Sequence, residues 1–331
     1  MAMSTSHGPS LRGAVVAAML IAPGFVSLAQ QTGSGQAPAV AASTTMKLSE
    51  HAHVIPQGGP GARSNVGLIV GTKASLVIDS GLGPSDGKRI LGELGKVSSN
   101  TTIYVMATHF HPEHILGESA FPASAIVVRS RAMQQDLVEK GAEMFAMFNR
   151  NANNAPIMVG ATYRPADVTF DGDMVLDLGG VRIQVLSLGP AHTRGDTGFF
   201  VEGDRILFTG DVAMSTPLGI NAEGMYSSAR TEARAWLASL ERLAVLRPIR
   251  IIPSHGPLGD ASMVEKHLAF LRALQERVRD LKREGKSSAE AAQVLVPEFE
   301  ATFPGEVPSN TSGSRVGRIA GAVSLLYAEL P

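Results

Sequence analysis

The chain contains no cysteine. That excludes disulfides, thiolate zinc sites and a cysteine nucleophile. It has almost no net charge, since 29 Lys and Arg against 30 Asp and Glu leave −1. No Lys/Arg cluster disturbs that balance, which argues against a nucleic-acid footprint. Nor does the apolar run at 13–29 suit a bilayer, which takes about 20 apolar residues. It follows Arg12, is broken by Pro23 and Gly24, and ends in Ser27-Leu28-Ala29. A cation, a short apolar stretch and small residues at the end fit a secretory signal peptide over 1–29. A periplasmic or secreted location in a bacterial source is therefore expected, with no stable membrane association after cleavage. No cysteine follows the run, so lipid attachment there is excluded.

Hydrophobic residues make up 44% of the 331 residues, ample material for a core, and the length suits one large α/β unit. Residues 30–45 are small and polar and read as a flexible linker, with the ordered domain expected over 46–331. Apolar runs at 67–71, 75–79, 101–108 and 126–129 read as buried strands, with helices over 86–97 and 131–149. The second half repeats the layout. Strands are expected at 168–170, 174–178, 181–188, 197–201, 205–209 and 249–253, and helices at 231–246, 261–284, 288–299 and 313–330. Two sheets packed face to face with helices outside would account for this order.

Five of the nine histidines fall in loops just past these strands. They are His109, His111 and His114 in one cluster, then His192, then His255. Glu113 stands inside the cluster and Asp211 follows Thr209-Gly210. Imidazoles and carboxylates suit zinc, and seven donors are enough for two ions. Alternating His109 and His111 can point one way off an extended turn, while Glu113 and His114 start a new turn towards a neighbouring ion. Two carboxylates buried among five imidazoles without a cation would leave charge uncompensated. Iron and manganese remain compatible with the same donors.

The run Thr108-His109-Phe110-His111-Pro112-Glu113-His114 is followed by Gly189-Pro190-Ala191-His192-Thr193-Arg194-Gly195-Asp196, Thr209-Gly210-Asp211 and Ser254-His255-Gly256. With Asp79-Ser80-Gly81 upstream, these motifs resemble, in order, those of the metallo-β-lactamase superfamily over about residues 50–270. The resemblance implies an α/β fold of four layers, an αββα sandwich. It also implies that His109, His111 and His192 hold one metal, that Glu113, His114 and His255 hold a second, and that Asp211 bridges them. Asp79 would lie beneath the site and hold a ligand histidine by a hydrogen bond. This chain departs from the family at Glu113, where aspartate is usual. A ligand role is expected there, since His114, His255 and Asp211 remain to complete the second site. The alternative is a supporting group beside a single tight metal.

The activity so implied is hydrolysis of a carbonyl-centred bond in a small molecule by a metal-bound hydroxide, with Glu113 or Asp211 orienting the nucleophile. β-Lactam, lactone, thioester and ester stay open. The export signal favours a β-lactam. Asp211 resembles instead the lactonase and thioesterase branches of glyoxalase II type, and no lysine follows it in Val212-Ala213-Met214-Ser215 to bind a β-lactam carboxylate. A mononuclear iron oxidoreductase resembling persulfide dioxygenases is the runner-up from another class. His51, His53 and His267 read as packing or surface residues, and Thr193 and Ser254 as structural hydrogen-bonders. Met133, Met144, Phe145, Met147 and Phe148 read as core with a second option, a roof over the substrate cleft. The glycine-rich 58–61 and the loop 214–226 are candidate segments beside the substrate.

Overall fold

The computed structural model describes residues 45–59, 61–214, 232–303 and 315–331, all within the compact unit Ala37–Pro331. The signal segment 1–29, residues 30–44 of the linker, Pro60, and 215–226 of the candidate loop lie outside the described residues. Among the described residues, no helix is long and apolar enough to cross a membrane.

Among the described residues, twelve strands form two sheets. The first holds β1 (Met46–Lys47), β2 (Ala52–Ile55), β3 (Val66–Val70), β4 (Ser75–Ile78), β5 (Ile103–Met106), β6 (Ile126–Ser130) and β7 (Val168–Phe170), in that spatial order. The second holds β8 (Met174–Asp177), β9 (Arg182–Ser187), β10 (Thr197–Val201), β11 (Ile206–Gly210) and β12 (Arg250–Pro253), ordered β12-β11-β10-β9-β8. Strands from β1 to β4 pair antiparallel, with four-residue connections from β1 to β2 and β3 to β4 and the longer segment 56–65 between β2 and β3. From β4 to β7 the pairing is parallel, which demands crossovers, usually helical. These are supplied by α1 (Pro84–Val97), by α2 (Pro112–Ile115) with a 3-10 turn over Leu116–Ala120, and by α3 (Arg131–Asn149) with α4 (Ala155–Met158). Likewise α5 (Ala233–Val245) links the parallel pair β11 and β12. After β12 come α6 (Ser262–Arg283), α7 (Ser288–Thr302) and α8 (Arg315–Glu329).

The central strands are buried on both faces, as their continuous apolar runs require. Period-two alternation then sorts each strand between two cores. Leu76, Ile78 and Met106 meet Phe199, Phe208 and Ile252 between the sheets. Their neighbours Val77 and Val105 turn outward to Ile90 and Leu94 of α1. On the other side Phe200, Leu207 and Ile251 turn outward to α5, α6, α7 and α8. The result is the four-layer αββα order. Of the apolar set on α3, Met133, Met144 and Phe148 are buried in a smaller cluster with Phe110, Leu116 and Ile157, while Phe145 and Met147 are half-buried at its edge. Tyr163 covers Phe145, ring centroids 6.2 Å apart.

The outer helices are tied at their ends. α5 has no side-chain cap of its own; its first amides, Ala233 and Arg234, donate to the Glu329 carboxylate of α8 at 2.7 and 3.2 Å. Lys282 Nζ donates to the carbonyls of Tyr327 and Leu330.

The sheets pack tightly at a position where a side chain is missing. A Cβ on Gly67 of β3 would lie 2.6 Å from Phe208 Cε1 of β11. Gly67→Ala should therefore destabilise the protein by about 1–3 kcal/mol, the usual cost of overpacking, read from denaturant midpoints. Adding Phe208→Leu to that variant should recover part of the loss. Simple additivity of the two changes would show that they do not meet.

Candidate metal centre

Each of the seven donors lies just past the carboxyl end of a strand, the edge at which open α/β sheets collect their sites. Beyond β5 the backbone bends over 108–111, and His111 itself is extended just ahead of α2. Phe110 turns into the apolar cluster beside α3, 1% exposed, while the His109 and His111 rings meet edge to face, centroids 4.5 Å apart. Pro112, at the first position of α2 where its missing N–H is harmless, turns the backbone and delivers Glu113 and His114. His192 follows β9 and His255 follows β12. Asp211 follows β11, whose register against β12 shifts between Phe208 and Gly210; such irregularities re-aim side chains next to sites. Gly210 has φ +60, and a Cβ there would meet Thr108 Cβ at 2.9 Å. Only glycine fits both demands.

The sequence-assigned donors come together as two trios. His109, His111 and His192 offer donor atoms within 4.8 Å of one another, and so do Glu113, His114 and His255. Asp211 spans both: Oδ2 lies 3.5 Å from His192 Nε2 and Oδ1 lies 3.7 Å from His255 Nε2. Glu113 Oε1 is 3.7 Å from His114 Nε2 and 3.8 Å from His255 Nε2. These gaps are too long for hydrogen bonds. They match two donors held tetrahedrally about 2.1 Å from one ion, which stand roughly 3.4 Å apart. His109 Nε2 and His111 Nδ1 are closer, at 2.9 Å.

Other groups fix which ring nitrogen faces inward. Asp79 Oδ2 bonds His114 Nδ1 at 2.9 Å, the Arg63 carbonyl bonds His255 Nδ1 at 3.1 Å, and Thr108 Oγ1 bonds His109 Nδ1 at 3.1 Å. Partners of this kind orient metal-binding imidazoles and raise their basicity. Asp79 itself is held by the Thr108 amide at 2.7 Å and by the hydroxyls of Thr108 and Ser254 at 3.2 and 3.4 Å. It has φ +64, a conformation that non-glycine residues keep only when surroundings over-determine it. Asp196 accepts from the Thr193 amide at 2.8 Å and hydroxyl at 2.7 Å, closing the loop that carries His192. Asn65 donates to the carbonyls of Pro253 and Gly256, on either side of His255.

The sequence singled out neither Asn65 nor Arg63, because a side chain bonded to a carbonyl nearly 190 residues away leaves no local pattern. Asp196 sat visibly in the His192 motif, and an acid two residues past Arg194 was the available signal. Of the histidines outside the motifs, His51 bonds the Val70 carbonyl at 3.0 Å, His53 is buried, and His267 is buried with its ring beside Trp236.

A donor set of five nitrogens and two carboxylates, with no sulfur, fits zinc. Three buried atoms strengthen the fit: among the described residues, Glu113 Oε2, His114 Nε2 and Asp211 Oδ1 have no hydrogen-bond partner. Native interiors rarely leave such atoms unmatched. Electrostatics agree. Burial pushes the Glu113 carboxyl up to about 7, despite the pull of His114. Burial works against a charge on His114, yet Asp79, Glu113 and Asp211 together carry it up to about 9. Burial presses His192 down to about 4. Asp211 stays below its ordinary range because His255, His192, His114 and His111 surround it, outweighing burial. Without a cation, then, this cluster holds a proton on His114 at neutral pH.

Two outcomes are expected. Loading zinc at pH 7.5 should expel about one proton, seen by calorimetry in buffers of different ionisation heat. Affinity should fall about tenfold for each pH unit between the His114 and Glu113 values and more steeply below the latter, since protons compete with metal for both groups. Glu113→Asp should keep metal bound and change turnover, because a shorter arm moves the carboxylate while leaving six donors. Loss of an ion from that variant, counted by elemental analysis, would contradict this.

Comparison with known proteins matches this geometry to a family. A linear primary-alkylsulfatase of Pseudomonas sp. is 22% identical over 233 residues, 62% of this chain and 44% of the relative, so the chain spans less than half of that enzyme's length. Among solved structures, a metallo-beta-lactamase from Pontibacter korlensis superposes with a TM-score of 0.53 at 20% identity, over 69% of this chain and 98% of that one. The inverting sec-alkylsulfatase Pisa1 of Pseudomonas sp. gives 0.63 at 15% identity, over 86% of this chain and 50% of its own. At such identities the likeness speaks for the fold. A family model described as the metallo-beta-lactamase superfamily matches residues 59–255, over half of the chain and every donor from His109 to His255, and to that superfamily the chain belongs.

Proposed function

We propose that the chain is a two-metal hydrolase acting on an ester-like bond of a small molecule. One observation carries this reading: Asp211 reaches both trios, with Oδ2 3.5 Å from His192 Nε2 and Oδ1 3.7 Å from His255 Nε2. A carboxylate so placed suits a shared ligand. His109, His111 and His192 would hold one ion, Glu113, His114 and His255 the other. When bound, the ions, zinc by the donor set, supply acidification of water and polarisation of the scissile group. The protein's own part is to hold the donors rigid and keep the site dry. Asp79, Thr108 and Arg63 fix the imidazoles from behind. Glu113 Oε2, the oxygen not directed at His114 and His255, accepts no hydrogen bond among the described residues and would orient the attacking water.

The substrate belongs to the same proposal. Carbonyl-centred bonds in β-lactams, lactones, thioesters and esters suit the centre. Sulfate esters join them as a second reading, favoured by the alkylsulfatase of Pseudomonas sp.. The near-neutral chain gives no support for phosphodiesters of nucleic acids. Export directed by residues 1–29 would place the enzyme in the periplasm or outside the cell, where it would meet small diffusible substrates.

The test is a hydrolysis panel of nitrocefin, acyl-lactones, thioesters and alkyl sulfates, with and without chelator, beside metal counting. Two zinc ions per chain and chelator-sensitive turnover are expected. A single iron per chain, with no hydrolysis, would favour an oxidoreductase instead. His111→Ala and His192→Ala should each lower metal content and cut turnover by at least about a thousandfold, since removing a ligand disables both ion and nucleophile. Full turnover by either variant would overturn the site.

A further inference from the structure

The donors on the second sheet sit on loops from different strands, and something must hold those loops in step. His192 follows β9 and Asp211 follows β11. One turn of α5 touches both. The Glu232 amide, immediately before α5, donates to the Pro190 carbonyl at 3.1 Å, two residues ahead of His192. Trp236 Nε1 donates to the Val212 carbonyl at 2.8 Å, one residue past Asp211. The same indole lies edge-on to the His192 imidazole, centroids 6.1 Å apart at 68°. His267 of α6 flanks it as well, at 5.8 Å. Trp236 is 3% exposed, so its N–H has no water to fall back on, and neither does the carbonyl it satisfies.

We infer that Trp236 is a positioning residue for the metal centre, setting His192 and Asp211 relative to each other through one indole. It touches neither ion nor substrate. Its ring limits where the His192 imidazole can swing, and its N–H anchors the backbone on which Asp211 stands. An indole is suited to both tasks at once, with a large rigid body and a single donor. Phenylalanine would keep part of the first and none of the second. The inference rests on the two-metal reading of the same site.

The chain has one tryptophan, which supplies a readout independent of turnover. In the wild-type protein, stepwise zinc addition to the metal-free form should change Trp236 emission as the trio containing His192 fills. Emission that stays flat while both ions bind would overturn the inference, whatever the variants do. Trp236→Phe should weaken zinc binding 10–100-fold in a chelator competition, the usual cost of losing a group behind the ligands. It should also alter the visible absorption of the cobalt-substituted protein. Leu243→Ala is the control, a buried residue of the same helix and apolar cluster that lies about two turns beyond Trp236. It should lose thermal stability and bind zinc as the wild type does. Equal loss of zinc by both variants, or wild-type zinc affinity in Trp236→Phe, would refute a positioning role. Failure of the wild-type chain to bind zinc at all would instead remove the two-metal reading on which the inference rests.

Discussion

Two carboxylates and five imidazoles enclosed together cannot coexist as bare charges. Everything at the open edge of this sandwich is arranged around that constraint. Glu113 and Asp211 are buried, and transferring an ionised carboxyl away from water is costly unless a counter-charge is near. Protons provide part of the compensation, and they settle on His114, which Asp79 holds from behind. Dications provide it better, because each neutralises more charge and satisfies several lone pairs at once. The unmatched atoms of Glu113, His114 and Asp211 are thus the cost of a cluster shaped for something other than itself.

The scaffold meets this demand by simple means. Both sheets end their strands at the same rim, and the donors ride on the turns that leave those strands. Local choices then aim them. Phe110 buries itself in the cluster beside α3, between two histidines that face the other donors. Pro112 starts a helix one residue before Glu113 is needed. Gly210 permits the backbone turn that presents Asp211. Asp79 accepts a strained backbone and four hydrogen-bond donors, of which only His114 belongs to the centre. Strain at such a position persists because every neighbouring group depends on it.

Much of this is legible in the chain itself. Continuous apolar runs mark the strands buried on two faces, and β7 and β10 fall at their expected bounds, as does α3. The donors are legible as residues, since histidines beside glycine or proline after a strand are conspicuous, while their division into trios comes from likeness to a family. Shorter elements escape. The strand Ala52–Ile55 hides behind His51 and His53, and α2, only four residues long, has no room for periodicity. The supporting contacts escape too. Asn65, Arg63 and Trp236 act on or through backbone carbonyls of distant segments, and a carbonyl is the same in every residue. Trp236 looks like one more apolar position on an amphipathic helix, which it also is.

The Glu329 carboxylate that receives the first amides of α5 gives the far end of the chain a mechanical stake in the chemistry. Helix α8 lies beyond the stretch 59–255 that carries the family signature, yet it clamps the turn on which the indole stands. Trimming that helix, or fusing a bulky tag that prises it away, would loosen the same turn of α5 through which Glu232 and Trp236 hold the His192 and Asp211 loops. Protein engineers who regard such a helix as dispensable padding would be removing the acceptor of α5's first two amides.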